Sequence, residues 1–423
     1  MLDGLPRSLV EGDTLDLTLH FASGLAVPVT FDVRLLTPEG RVNFAVTDDF
    51  QISNAWVRAT ASLDGLAVVG DGGYEWRLPA GFPLPRVPAN NPMTEEKVDL
   101  GRYLFYDVRL SGNGSMSCSS CHLQALAFTD GRAQAIGSTG DVHPRSSMAL
   151  VNVAYNATLT WANPLLLELE RQIVLPMFGE HPVEMGITGS EEAVLDRFRQ
   201  DAGYQTRFAA AFAGEEDPFT FHNVTQALAS FVRALISGDS AYDRYVRGDQ
   251  AAMSDLGEAR HGPVLLRGLE CHHCHTGFNF TLSTVTANST FEERPFFNTG
   301  LYNVGGTGAY PTGNAGLHEI TQNATDMGRF RPQTLRNIAL TAPYMHDGSI
   351  ATLEEVVRFY MDGGRVIEVG ENAGDGRANP FKSGLVPGFT ISEGEQADLV
   401  AFLESLTDET FITEPRFSDP FVG

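Results

Sequence analysis

Four cysteines are the residues of this 423-residue chain whose types and spacing carry the most chemistry. They form two Cys-x-x-Cys pairs, each followed directly by a histidine: Cys118, Cys121 and His122, then Cys271, Cys274 and His275. Two thiols three residues apart on one turn can form thioethers with both vinyl groups of a porphyrin, and the next histidine then lies beneath the ring. The spacing therefore predicts two covalently bound haem c groups, with His122 and His275 as iron ligands.

Other uses of cysteine fit this pattern less well. One such motif could be a redox disulfide or half of a zinc site. Here every cysteine belongs to a motif with its own histidine, whereas a four-cysteine zinc site would not need the histidines. The wide separation of the two motifs also suits two domains better than one site. His272 and His273, inside the second motif, are expected to fill it rather than to act as additional ligands.

The charge of the chain limits its partners. A net charge of -24, from 29 basic and 53 acidic residues, repels nucleic acid and anionic membranes and favours a neutral or basic protein partner. No run approaches the roughly 18 apolar residues that a membrane span requires. With 43% hydrophobic residues the chain is not wholly disordered. We expect a soluble protein with no membrane span.

The elements that must position the motifs differ along the chain. Residues 1–80 are expected to form a small β-rich module, because apolar residues alternate over 15–21 and 31–35 and another strand is predicted around 42–46. This module could be a docking surface for a partner or a stabilising appendage. Five prolines within 79–92 predict a stiff connection without regular structure.

Beyond this connection the pattern is helical. Thr94 is a candidate N-cap for a helix that runs to about Tyr106. Ser190 is placed to begin another helix, and apolar residues recur at helical spacing over 224–235 and 353–360. The fold class is therefore expected to be mainly α.

From residue 81 onward the sequence resembles the bacterial di-haem cytochrome c peroxidase superfamily, which includes MauG. The resemblance is carried by blocks that occur in the family's order: 100–107, the first haem motif, 150–156, 176, 183–185, the second haem motif, 334–337 and 341–348. It implies two cytochrome-c-like haem domains after the β-rich module. Residues 81–255 would hold the peroxide-reactive haem, and residues 256–423 the electron-transfer haem.

The resemblance also assigns roles to residues around the haems. Glu184 falls at the position of the distal carboxylate, which moves a proton between the two oxygens of peroxide. Gln172 and Pro176 fall where the family lines the same pocket. Trp161 falls where the family places a tryptophan between the haems as an electron relay. His143 is interpreted as a loop histidine, which leaves the first haem open to peroxide.

Two further assignments rest on the resemblance. Asn152, Thr341 and Pro343 match the ligands of an inter-haem Ca²⁺. Tyr360 aligns with the distal ligand of the second haem, and a tyrosine there is the MauG pattern. A shift of one residue in the alignment would instead place Met361 there, as in conventional peroxidases, so this ligand stays open.

Within the superfamily the sequence is most similar to the MbnH-type enzymes. Four stretches carry this similarity: 81–83, 91–94, 298–303 and 343–348. This resemblance implies a peroxidase-type oxidoreductase that uses H₂O₂ to form a high-valent di-haem state and oxidises a tryptophan of a partner, an MbnP-like protein. One alternative is a conventional cytochrome c peroxidase that takes electrons from a small redox protein. Another is an electron-transfer protein without catalysis.

The location follows from the haem motifs. Haem c is attached outside the cytoplasm, so we expect a periplasmic protein. The first residues show no basic stretch followed by an apolar one, and the export signal is expected to be absent from this sequence.

Overall fold

The computed structural model describes residues 73–253 and 257–422, together with the backbone of four strands nearer the N-terminus. These strands are β1 (Thr14–His20), β2 (Ala26–Asp32), β3 (Arg58–Ala59) and β4 (Val68–Val69). β1 and β2 are antiparallel, with Thr14 opposite Asp32, and β2 also pairs with β3. The strand predicted over 15–21 is confirmed, whereas the next one begins earlier than expected. The strand predicted around 42–46 lies outside the described residues.

The described remainder is mainly helical, as expected. Its helices are α1 (Glu95–Tyr106), α2 (Leu169–Gln172), α3 (Val174–Phe178), α4 (Glu191–Arg199), α5 (Ala202–Ala211), α6 (Phe221–Arg233), α7 (Ala241–Val246), α8 (Gly262–Gly268), α9 (His318–Thr321), α10 (Leu353–Met361), α11 (Glu393–Glu404) and α12 (Glu409–Thr413). Its strands are β5 (Glu75–Trp76), which pairs with β4, and the pair β6 (Val366–Ile367) and β7 (Gly374–Asp375). The helices predicted to begin at Thr94 and Ser190 and to cover 224–235 and 353–360 correspond to α1, α4, α6 and α10. No helix among the described residues is long and apolar enough to cross a membrane.

The chain divides into two compact units, Met1–Ala67 and Val68–Gly423. The second unit contains both haem motifs and two large hydrophobic clusters. One cluster is built on α1 and α6, with Cys118 packed against it. The other is built on α10 and α11, with Cys271 and Tyr360 packed against it. The division of this unit into haem domains at residues 255 and 256 stays a prediction.

Helix α1 carries the first motif's neighbour Phe105. Its N-cap Thr94 accepts a hydrogen bond from the backbone N–H of Lys97 (3.2 Å), and two glutamates follow in the first turn, where the helix dipole favours negative charge. The helix crosses α6 at Gly101, where an added Cβ would lie 2.0 Å from the carbonyl oxygen of Ala227. The missing side chain therefore sets the distance between the two helices.

The proline-rich connection is fixed by packing rather than by regular structure. Residues 77–93 contain no helix or strand. Trp76 and Met93, on either side of it, are both buried in a small cluster with Tyr74. This cluster anchors the start of α1.

Candidate functional site

The first haem motif lies on a short 3₁₀ turn, Cys118–Ser120. The backbone N–H of His122 donates to the carbonyl oxygen of Cys118 (3.0 Å), which brings the imidazole back over the turn. The Nδ1 atom of His122 lies 2.7 Å from the carbonyl oxygen of Phe128. Because a carbonyl can only accept, Nδ1 carries the proton and Nε2 keeps its lone pair for iron. Burial also lowers the pKa of His122, which favours the neutral form that a metal needs.

The second haem motif repeats this arrangement on the turn Cys271–His273. Nδ1 of His275 lies 3.1 Å from the carbonyl oxygen of Gln333 and 3.3 Å from that of Phe280. Burial lowers the pKa of His275 as well. All four cysteines lie in the described part of the chain and none forms a disulfide there. Both turns thus present two free thiols and one oriented imidazole.

The backbone that orients both imidazoles is unusual. Phe128 and Phe280, whose carbonyls face the two histidines, have positive φ angles of 63° and 47°. A bulky residue rarely adopts this left-handed conformation. The same residue type in the same conformation, a few positions after each motif, therefore serves the same purpose twice.

Glu184, which lies near the thiols of the first motif, is next to His143. Their Oε1 and Nε2 atoms lie 3.9 Å apart, and about a third of each side chain is exposed. The backbone N–H of Arg145 donates to Nδ1 of His143 (3.2 Å), so the neutral ring carries its proton on Nε2, towards Glu184. Burial raises the pKa of Glu184, while burial and then the charge of Arg145 lower the pKa of His143. The Nε2 proton of the neutral ring therefore faces Glu184 and favours its ionised form.

Backbone contacts hold this pair in place. The N–H of Ser138 donates to the carbonyl oxygen of Glu184 (2.7 Å), and the N–H of Val183 donates to Oδ2 of Asp141 (3.0 Å). At Gly137 an added Cβ would lie 1.8 Å from the carbonyl oxygen of Val183. The loop that carries His143 is thus fastened directly to the segment that carries Glu184.

Glu184 also lies close enough to the first motif to act on its thiols. Burial raises the pKa of Cys118 to about 12 and that of Cys121 to about 11, and the negative charge of Glu184 adds to both shifts. The carbonyl oxygen of Pro176 accepts from the N–H of Met185 (2.9 Å), which places Pro176 beside Glu184. Gln172 ends α2, immediately before the helix that carries Pro176.

A cavity of about 380 Å³ lies at the second motif. Its wall includes the motif residues Cys271, Cys274 and His275. It also includes three residues that the sequence predicted for this site, Tyr360, Thr341 and Pro343. Trp161 also lines it. The structure therefore assembles most of the residues predicted for the second haem in one place.

The polar atoms in this wall fit a haem. Three buried nitrogens have no hydrogen-bond partner among the described residues: Nη1 of Arg331, Nε2 of Gln333 and Nε2 of His346. Burial lowers the pKa of Arg331 to about 9, since no carboxylate faces its guanidinium, and burial lowers that of His346 to about 4. A haem brings two propionates, which would satisfy these donors and pair the buried cation.

Trp161 is bonded to a segment that contacts the first motif and lines the cavity at the second motif. Its indole N–H donates to the carbonyl oxygen of Ser146 (3.1 Å). The next residues on that segment interact with the first motif, Ser147 with Cys121 and the backbone of Met148 with His122. Residues 146–148 also line the cavity at the second motif, so this segment lies between the two motifs. The ring of His346 packs edge-on against Trp161, with 6.5 Å between the ring centroids.

The structure separates the two candidates for the second distal ligand. Tyr360 lines the cavity, and burial, followed by Cys274 and Cys271, raises the pKa of its hydroxyl. Met361 is not part of the described cavity wall, and its carbonyl oxygen accepts from the N–H of Phe389 (3.0 Å). The side chain available at the cavity is the phenol.

The predicted calcium ligands are not all brought together. Thr341 and Pro343 line the cavity, whereas Asn152 is not part of its described wall. The amide oxygen of Asn152 accepts from the N–H of Ser237 (2.7 Å), and its amide nitrogen donates to Asn279 (3.0 Å) and to the Ser237 carbonyl. Only two of the three predicted ligand residues therefore line the cavity, and the calcium site stays a prediction.

Comparison with known proteins agrees with this geometry. A model of the di-haem cytochrome c peroxidase family matches residues 95–251. The cytochrome-c peroxidase IdrP1 of Denitromonas iodatirespirans is 35% identical over 373 residues, which cover 81% of this chain and 89% of that protein. The chain belongs to the di-haem cytochrome c peroxidase family. Membership makes it a peroxidase-type oxidoreductase with haem as its cofactor.

Two relatives place this di-haem peroxidase near MauG. The methylamine utilization protein MauG of Methylorubrum extorquens is 33% identical over 367 residues, with 86% of this chain and 91% of that protein covered. A solved structure of a MauG-like protein associated with microbial copper homeostasis is 51% identical, with a TM-score of 0.80. That likeness covers 82% of this chain and 99% of the other. Both MauG-like proteins and conventional peroxidases are thus among its relatives.

Sequence reasoning missed three parts of this di-haem peroxidase site. The carbonyls of Phe128 and Phe280 left only a faint signal, a phenylalanine six or five residues after each histidine. Arg331 left none, because its role depends on burial without a carboxylate partner. His346 lies inside a block that carried the family resemblance, although no role was predicted for it.

Proposed function

We propose that this chain uses H₂O₂ to oxidise a tryptophan side chain of a partner protein in the periplasm. The observation that carries the proposal is the position of Tyr360 in the cavity wall, where Met361 is not found. A tyrosine ligand favours high iron oxidation states, which a two-electron oxidation of a distant side chain requires. The 51% identity to a MauG-like protein supports the same conclusion.

Haem held by each motif would supply the iron that binds peroxide and stores oxidising equivalents. Glu184 then takes the proton from one oxygen of peroxide and returns it to the oxygen that leaves as water. His143 holds its Nε2 proton towards Glu184, which favours the ionised carboxylate that accepts the peroxide proton. Each H₂O₂ accepts two electrons and two protons to give two waters. The partner's tryptophan supplies both the electrons and the protons as one water adds to its ring, which gives a hydroxytryptophan.

The path for these electrons runs through Trp161. The indole lines the cavity at the second motif, and its N–H donates a hydrogen bond to the segment that contacts the first motif. An aromatic ring at this position divides one long electron transfer into two short ones. Trp161 therefore acts as the relay between the two haems.

The partner is expected to be neutral or basic, because the chain carries a net charge of -24. Since a 51% identical structure is that of a protein associated with copper homeostasis, a copper-handling protein with an exposed tryptophan, of the MbnP type, is the first partner to test.

The test is mass spectrometry of the partner after reaction with the fully oxidised enzyme and stoichiometric H₂O₂. A mass change on one tryptophan, absent with E184Q enzyme, is the expected result. An oxidised enzyme that ignores H₂O₂ until one haem has been reduced would contradict the proposal.

That second outcome corresponds to a conventional peroxidase, which the 35% identity to IdrP1 keeps as the alternative. In that case the electrons come from a small redox protein and no tryptophan changes mass. A conventional peroxidase would be identified by steady oxidation of a reduced small cytochrome at the same rate with and without the tryptophan partner.

A further inference from the structure

The second haem motif carries a group of metal-ligating side chains that the proposed reaction does not use. Glu270, His272 and His273 each present one ligand atom, and these atoms all lie within 4.8 Å of one another. Within residues 73–253 and 257–422 this is the one group of three or more such side chains so close together. Glu270 and His273 form an ion pair, and the rings of His272 and His273 stack with centroids 4.4 Å apart.

This cluster lies at the edge of the haem cavity. Glu270 lines the cavity together with Cys271, Cys274 and His275, whereas His272 and His273 do not. The side chains of His273 and Glu270 are 43% and 58% exposed, so an ion can reach them from solvent. The two imidazoles therefore stay outside the cavity that the haem would occupy, and the Glu270 carboxylate remains open to solvent.

One observation points to a missing ligand partner. Nδ1 of His272 is buried and has no hydrogen-bond partner among the described residues. Leaving a buried polar atom without a partner costs free energy, and a cation shared with His273 and Glu270 would satisfy it. Glu270 has a φ of 65°, which begins the turn in a left-handed conformation that a non-glycine residue rarely adopts.

Two imidazoles and one carboxylate are ligands of borderline softness. Such a set binds divalent first-row metals in the order that peaks at Cu²⁺, with Zn²⁺ weaker. The nearby thiols are committed to haem, so no soft sulfur ligand is left to favour Cu⁺. We propose that Glu270, His272 and His273 form a Cu²⁺-binding site on the solvent side of the second haem motif. This differs from the expectation that the two histidines only fill the motif.

The position of the site gives it a second consequence. A bound dication would add positive charge next to the turn that holds the second haem. Positive charge stabilises the reduced, less positive form of the iron, so Cu²⁺ or Zn²⁺ should raise the reduction potential of that haem.

The test uses the full-length holoprotein after treatment with a chelator. Cu²⁺ alone, and in a parallel titration Zn²⁺ alone, is added to wild type, to the H272Q/H273Q double variant and to E270Q, and binding is followed by calorimetry. Electron paramagnetic resonance of the Cu²⁺ form reports nitrogen ligands directly. H261Q is the matched control, because His261 is 75% exposed and pairs with a single carboxylate, Asp398.

Wild type should bind one Cu²⁺ with two nitrogen ligands. The double variant should bind Cu²⁺ at least about tenfold more weakly, because even the loss of a residue outside the ligand shell typically lowers metal affinity by about that factor. H261Q should match wild type. Equal affinity in the double variant, or an equal loss in H261Q, would overturn the proposal. Glu270 lies outside the haem motif, so E270Q decides the matter if the double variant fails to attach haem. Unchanged Cu²⁺ affinity in E270Q would then overturn it.

Discussion

Nε2 of His143 lies 3.9 Å from Oε1 of Glu184, and the hydrogen bond from Arg145 to Nδ1 directs the Nε2 proton towards that carboxylate. Burial moves the two pKa values towards each other, upward for Glu184 and downward for His143. A histidine that covered the first haem would direct a ring nitrogen to the iron. In His143, Nδ1 accepts from Arg145 and Nε2 faces the Glu184 carboxylate instead. The pair predicts how the pocket responds to substitution and to pH.

The first prediction concerns the Glu184 carboxylate. Gln has nearly the same shape but cannot accept the peroxide proton, so E184Q should slow the reaction of the oxidised enzyme with H₂O₂ by about 10²- to 10⁴-fold. Stopped-flow absorption of the haem bands measures this rate. Glu180 is exposed on the same segment, so E180Q is the control and should react like wild type. An unchanged rate in E184Q would remove the acid–base role.

The second prediction concerns pH. Glu184 must be ionised to accept a proton, and burial raises its pKa above the ordinary 4.5. The rate of reaction with H₂O₂ should therefore fall as pH falls through a midpoint above 4.5. In the haem-bound enzyme, where Cys118 and Cys121 are thioethers, the other titratable groups around this carboxylate are His143 and Asp141. D141N should leave the midpoint in place, since burial causes the shift. A midpoint at or below 4.5 in the wild type would contradict this account.

The third prediction concerns the second distal ligand. A phenolate stabilises the oxidised iron, so Y360F should raise the reduction potential of one haem by about 0.1 V or more, within the roughly 0.8 V range that axial ligands cover. M361L should change neither the potential nor the absorption spectrum, because Met361 is not in the described cavity wall. Potentiometric titration followed at the haem bands measures both. The opposite pattern, with a response only in M361L, would assign the ligand to methionine.

The fourth prediction concerns Arg331. Arg331 is 2% exposed, and its Nη1 has no hydrogen-bond partner among the described residues. If it pairs with a haem propionate, R331Q removes a positive charge beside the second haem and lowers its reduction potential. R329Q is the control, because Arg329 is 39% exposed and pairs with Asp326. The same potential in R331Q and wild type would mean that the guanidinium does not face the haem.

Local signals account for the parts of the fold that the sequence predicted well. Thr94 caps α1 through a bond to a residue three positions away, and the spacing within each haem motif is set by a single turn. The carbonyls of Phe128 and Phe280 depend on a left-handed backbone that residue type alone disfavours. The role of Arg331 depends on its burial by segments distant in the sequence, none of which places a carboxylate beside the guanidinium. Such features arise from tertiary contacts and leave no periodic pattern to read.

The last prediction concerns the crossing of α1 and α6, which supports the first haem motif through Phe105. An alanine at Gly101 would place a Cβ 2.0 Å from the carbonyl oxygen of Ala227 and 2.9 Å from Cβ of Phe231, so the helices must separate. G101A should destabilise the holoprotein by about 1–3 kcal/mol, the usual cost of overpacking. G384A is the matched control, because an added Cβ there meets nothing within 4 Å and the substitution should be neutral or stabilise by about 0.4–1 kcal/mol. Urea unfolding followed by tryptophan fluorescence measures both. Equal midpoints for G101A and wild type would show that the two helices can separate without cost.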